Sequence, residues 1–190
     1  LGVFLKELFM SLSTLPSIAD RAVAFLELVK AAIQYDTGSK AVLKRALTGE
    51  ARHIRAVYPI ILDFLERQGI KYHQNEWIFV ACLFAYYEQP INKGDNRNFG
   101  HSARELSKDG SSRGPDRRFR ALLDTNLEDL PSPLSALVRL MKSKHISIYY
   151  PQLIADLEYW DHPDQYIQDR WARAFWGAPL PQPPPPLDEQ

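Results

Sequence analysis

"WIFVACLFAYY", residues 77–87, is an apolar run that reads either as a membrane span or as a buried helix. Its eleven residues fall short of a membrane span, which needs roughly 20. Glu88 and Pro90 then close the run. The reading is a core helix over Glu76–Tyr87, with Asn75 as its cap. Cys82, the only cysteine, sits inside this run. An intrachain disulfide is therefore impossible, and a small buried core residue in a reducing cytoplasm is the expectation.

Working outward, apolar residues recur at helical spacing and strict alternation is almost absent. The pattern predicts an all-α protein: a compact bundle of roughly seven to nine helices, in two lobes and without a sheet. Asp20 opens a helix through Lys30 or beyond, with Ala24, Leu28, Phe25 and Val29 as its apolar stripe. Ser39 reads as the N-cap of a short helix ending near Thr48 and Gly49. Tyr58–Arg67 is the next, separated from the core helix by Gly69. Leu134–Lys144 follows Pro133, and Pro151, at a first-turn position, opens Gln152–Trp160.

Residues 1–10, "LGVFLKELFM", have no basic leader and no small-residue cleavage site, so they read as a short amphipathic helix rather than a signal peptide. Residues 89–116 are rich in turn formers, broken by one helical stretch around Ala103–Leu106, and place a lobe boundary there. One domain over 1–178 is expected, followed by a proline-rich tail over 179–190 that cannot continue a helix. An extended, disordered tail competes there with a ligand for a proline-binding partner.

The 23 basic and 23 acidic residues cancel, so any case for nucleic acid rests on where charge lies. Residues 37–57 carry Lys40, Lys44, Arg45, Arg52 and Arg55 against Glu50 alone. Residues 93–120 hold eight basic and four acidic residues, densest at "RRFR", 117–120. Acidic stretches lie apart, at Asp124, Glu128 and Asp129 and between Asp156 and Asp169.

At about 100° per residue, Lys40, Lys44, Ala41 and Arg45 share one half of a helical wheel, with Val42, Ala46, Leu43 and Leu47 on the other. Such a helix fixes itself to a core and turns cation outward, toward an anionic strand or simply toward solvent. In "PDRRFRALLDT", Phe119, Leu122 and Leu123 anchor a helix around which Arg117, Arg118 and Arg120 project. Those guanidinium groups are suited to phosphate, or to pairing with the chain's own carboxylates. Arg139 and Lys142 stand opposite Leu137, Val138 and Met141. In "DRWARAFW", residues 169–176, the four-residue spacing of Trp171 and Phe175 predicts two buried rings. Arg170 and Arg173 form a ridge beside them that meets phosphate or pairs with Asp169.

Catalytic signatures are missing. The five histidines are scattered without metal-ligand spacing, and no P-loop, G-x-S-x-G or H-E-x-x-H motif occurs. No catalytic residue, metal or cofactor is expected.

The order of motifs is more specific than any one of them. "KAVLKRALTGE", "WIFVACLFAYY", "NFGHSARELS", "DRRFRALLDT" and "LVRLMKSKHISIYYPQLIADLEYW", closing on "DRWARAFW", resembles the CasB family, the small subunits of type I-E CRISPR Cascade complexes. The likeness spans about residues 20–177.

That resemblance implies a non-enzymatic all-α subunit, present in two copies along a guide-RNA complex in a prokaryotic cytoplasm. Its implied partners are the Cascade backbone and large subunits, the CRISPR guide RNA, and target DNA, chiefly the displaced single strand. No membrane is involved. Lys40, Lys44, Arg45, Arg117, Arg118 and Arg120 are carried over as backbone-binding residues, with Arg139, Lys142, Arg170 and Arg173 added. Lysine stands in the early helix where paired arginine is usual for the family, which keeps the charge and weakens two-pronged gripping. The proline tail is not part of the family pattern. The competing expectation is a helical scaffold whose basic clusters pair with acidic partner surfaces; an unrecognised nuclease has almost no support.

Overall fold

The computed structural model describes residues 16–91, 97–107 and 113–177. The expected N-terminal amphipathic helix and the proline tail lie outside them. The described residues form ten helices and no strand. The all-α reading is borne out, with ten helices where roughly seven to nine were expected; the one with no counterpart in the sequence reading is Ala51–Arg55, whose five residues are too few to show a helical period.

The chain divides into two units, residues 1–96 with 149–158, and residues 97–148 with 159–190. In the first unit, α1 (Ile18–Tyr35) starts in a capping box. Ser17 Oγ accepts from Asp20 N (3.1 Å), and Asp20 Oδ2 accepts from Ser17 N (3.2 Å). Phe25 and Val29 of the expected stripe are buried, whereas Ala24 and Leu28 face solvent. Ala22, Leu26 and Ile33 complete the buried face instead.

Asp36 ends α1 and caps α2 (Thr37–Ala46), its carboxylate accepting from Gly38 N at 2.9 Å and Ser39 N at 2.8 Å. The cap is thus Asp36 and not Ser39, because the carboxylate satisfies two orphan amides where a hydroxyl satisfies one. A short α3 (Ala51–Arg55) leads to α4 (Tyr58–Arg67). α5 (Gln74–Tyr86) is buried on nearly every side, as its uniform apolarity requires. Its expected cap, Asn75, lies inside the helix; His73 precedes it in left-handed geometry without a side-chain cap bond.

The last helix of this unit, α9 (Tyr150–Leu157), packs against α1 and α5. It ends at Leu157, short of the expected Trp160, which belongs to the other unit. Trp77 Nε1 donates to the Glu158 carboxylate.

In the second unit, α6 (Phe99–Glu105) packs against α10 (Tyr166–Trp176), and α7 (Arg113–Leu123) against α8 (Pro131–Ser143). Phe119 stacks on Phe175 with centroids 4.2 Å apart, and Trp160 lies 4.8 Å from Trp171. Trp171 and Phe175 are buried as their spacing predicts, while Trp176 is 44% exposed. Gly177 then stops α10 at a φ of 75°.

Candidate nucleic-acid interface

Among the described residues, no group of histidine, cysteine or carboxylate side chains is placed to hold a metal ion, and no helix is long and apolar enough to cross a membrane. What the surface does offer is cation, and the fold sorts it.

In the first unit, Leu43 and Ala46 bury one face of α2 and turn Lys44 and Arg45 outward. Both are exposed, with no carboxylate partner among the described residues. Lys40 is different: it forms an ion pair with Glu88, far along the chain. On α3, Arg52 pairs with Glu50 at 2.8 Å, while Arg55 is exposed and without such a partner among the described residues. Arg55 joins Lys44 and Arg45 as an available cation, and its signal was the local charge surplus over 37–57.

In the second unit, Phe119 and Leu122 anchor α7 as expected, and Arg117 and Arg118 reach solvent without a carboxylate partner among the described residues. Arg120 does not share their freedom. Its Nε lies 2.8 Å from Asp116 Oδ2, one helical turn back, and its guanidinium sits 4.6 Å from the Trp176 ring centroid. Trp176 Nε1 donates to the other Asp116 oxygen at 3.0 Å. The hydrogen bond from Arg120 holds the Asp116 carboxyl below the usual carboxylate range, and the same bond raises Arg120. Arg120 is a fastener between α7 and α10.

Arg139 is exposed on α8 without a carboxylate partner among the described residues, whereas Lys142 is half-buried and engaged. On α10, Arg170 is half-buried and engaged, and Arg173 pairs with Asp169 at 2.7 Å. Of the ten cations selected from sequence, Lys44, Arg45, Arg117, Arg118 and Arg139 are exposed with no carboxylate partner among the described residues. Lys40, Arg120 and Arg173 are paired with carboxylates of the chain, and Lys142 and Arg170 are engaged.

The sequence model of the family described as CRISPR-associated protein Cse2 matches residues 39–176. The chain belongs to the Cse2 family. Its resemblance to CasB, drawn from the order of motifs, is borne out. The chain is 28% identical over 144 residues to the CRISPR-associated protein Cse2 of Thermus thermophilus, covering 75% of this chain and 80% of that one. The crystal structure of M. ruber CasB matches with a TM-score of 0.68 at 28% identity, over 85% of this chain and 93% of that one. CasB from Thermus thermophilus matches with a TM-score of 0.68 at 25% identity, over 83% and 98%. A chain of a CRISPR RNA-guided surveillance complex shares the fold, with a TM-score of 0.70 at 21% identity, over 85% and 94%.

Proposed function

We propose that this Cse2-family chain is the non-catalytic small subunit of a Cascade surveillance complex, where it holds nucleic-acid backbone without reading sequence. It stabilises the R-loop by retaining the displaced non-target DNA strand along the guide-RNA complex. Its partners are the backbone and large subunits, the guide RNA, the target DNA and a second copy of itself, in a prokaryotic cytoplasm. The observation that carries the reading is the set of outward cations on helices with no carboxylate partner among the described residues: Lys44 and Arg45 in one unit, Arg117, Arg118 and Arg139 in the other. Each helix fixes where its cations stand, and cations so placed grip phosphate whatever the base attached to it.

R-loop formation exchanges one duplex for another of similar stability, so a few backbone contacts are enough to tip the balance. Guanidinium groups serve this better than ammonium groups, because they meet two phosphate oxygens at once.

In the assembled complex, Arg117→Glu with Arg118→Glu is expected to shorten R-loop lifetime while leaving guide-RNA content unchanged. The salt dependence of single-strand retention, log K against log salt, becomes shallower by roughly 1.4, the loss of two phosphate contacts at about 0.7 each. Unchanged R-loop lifetime and salt slope would refute this assignment.

A further inference from the structure

A cleft of about 630 Å³ opens within the second unit, between α6 and the turn that follows α8. Arg97, Arg104 and Lys144 line it with His101 and His145, against the single carboxylate of Glu105. None of these belongs to the cationic helix faces described above. Arg97, Glu105 and Lys144 each have an interaction partner. The lining itself carries three cations to one carboxylate, in a volume that suits a small ligand.

Three features show a built wall rather than a chance gathering. Ser102 Oγ donates to Ser147 O at 2.7 Å, strapping the turn to α6. His101 Nδ1 is engaged by Asn98, which leaves Nε2 for a ligand. The Arg104 guanidinium lies against Gly177, its atoms 2.8–3.0 Å from where a Cβ would stand.

The decisive residue is His145. α8 ends with His145 N donating to Lys142 O and Ile146 N to Met141 O, a stop that needs a left-handed residue at its centre. α4 ends on the same pattern around Gly69, at a φ of 67°. Glycine adopts that geometry freely. At α8 the chain instead holds a histidine there, at a φ of 56°. Histidine enters that region more readily than most side chains, and His73 and Gln165 also stand at positive φ; what sets His145 apart is that its imidazole lines the cleft.

We infer that the cleft is a phosphodiester-binding site, taking a short stretch of single-stranded nucleic acid between Arg104 and the two imidazoles. The proposed function supplies only the source of the phosphate; the site itself is complete within one unit of the chain and needs no partner subunit.

The test uses the isolated full chain with fluorescein-labelled oligothymidylate DNA and oligouridylate RNA, and with imidazole NMR resonances as a local readout. Saturable shifts of His101 and His145, but not of His53 or His73, are expected, and the probe that causes them names the strand. Arg104→Gln lowers affinity roughly tenfold, the worth of one charge-assisted contact. His145→Gly weakens binding while melting at the same or a higher temperature, because it relieves the backbone as it removes the imidazole. No binding of either probe, no shift at the cleft histidines, or parental affinity in His145→Gly would overturn the inference. Since the Arg117 and Arg118 experiment is read in the assembled complex, either proposal fails without the other.

Discussion

At the scale of single residues, Gly100 is the least replaceable. A Cβ there would sit 2.2 Å from the carbonyl oxygen of Trp171, so α6 meets α10 backbone to backbone. A carbonyl within a helix has no room to yield, and Gly100→Ala should cost about 3 kcal/mol in denaturant unfolding. Gly114→Ala is the matched control: apart from its chain neighbours its Cβ would meet nothing within 4 Å, and since it stands in the first turn of α7, directly before Pro115, it should change stability by less than about 1 kcal/mol. Cys82 makes a second prediction. Burial pushes its thiol up to about 12, and only a thiolate alkylates readily. The folded protein should resist iodoacetamide at mildly alkaline pH and react once unfolded; equal rates in both states would contradict the burial. Its place in the core was readable from the apolar run around it. The fate of Arg120 was readable only in part, since Asp116 lies a turn away whereas the Trp176 ring that joins them stands 60 residues beyond Asp116.

At the scale of elements, helix bodies were more legible than helix ends. Tyr58–Arg67 falls where its periodicity puts it. The start of α2 does not, because Asp36 outcompetes Ser39 for the orphan amides. That cap has a pH signature. The amide of Gly38 first, then the hydroxyl and amide of Ser39, hold the Asp36 carboxyl below its ordinary 3.8. A folded pKa below the unfolded one means that stabilisation is complete above about pH 5 and is lost as pH falls through 3.8 toward the folded value. Asp36→Ala should therefore melt below the parent at neutral pH, and the gap should close on acidification. A gap that stayed constant from neutral to acid pH would show that the carboxylate charge is not what caps α2.

At the scale of the whole molecule, the path of the chain matters most. Residues 149–158 return to the first unit after residues 97–148 have been spent on the second. Tyr150 is buried there, its ring edge-on to Phe84 at 5.6 Å and its hydroxyl within reach of Tyr87 O at 3.0 Å and Leu83 O at 3.3 Å. Removing only that hydroxyl, as in Tyr150→Phe, should cost about 1–2 kcal/mol. Removing the whole segment is more severe, because α1 buries part of its apolar face against α9. A fragment of residues 16–96 should lack a cooperative thermal transition, read by circular dichroism; a sharp transition would show that the first unit does not depend on its returning helix. The glycines and polar residues of 89–116 are what the sequence offers as a sign of division; no shift in composition marks the return at 149.

The amino-acid order by itself determined an all-helical chain, the buried rings of Trp171 and Phe175, the family, and the segments where cation gathers. These follow from periodicity and local charge, which need only neighbours within a few turns. Tertiary structure alone decided which cations remain available. Lys40 meets Glu88 across 48 residues, and Arg120 lies against Trp176, while Lys44, Arg45, Arg117, Arg118 and Arg139 face outward. It also gathered Arg97, Arg104 and Lys144 into one cleft. The reason is physical: a helix sets the direction of a side chain, but whether that charge is neutralised depends on what the rest of the chain brings within a few ångströms of it.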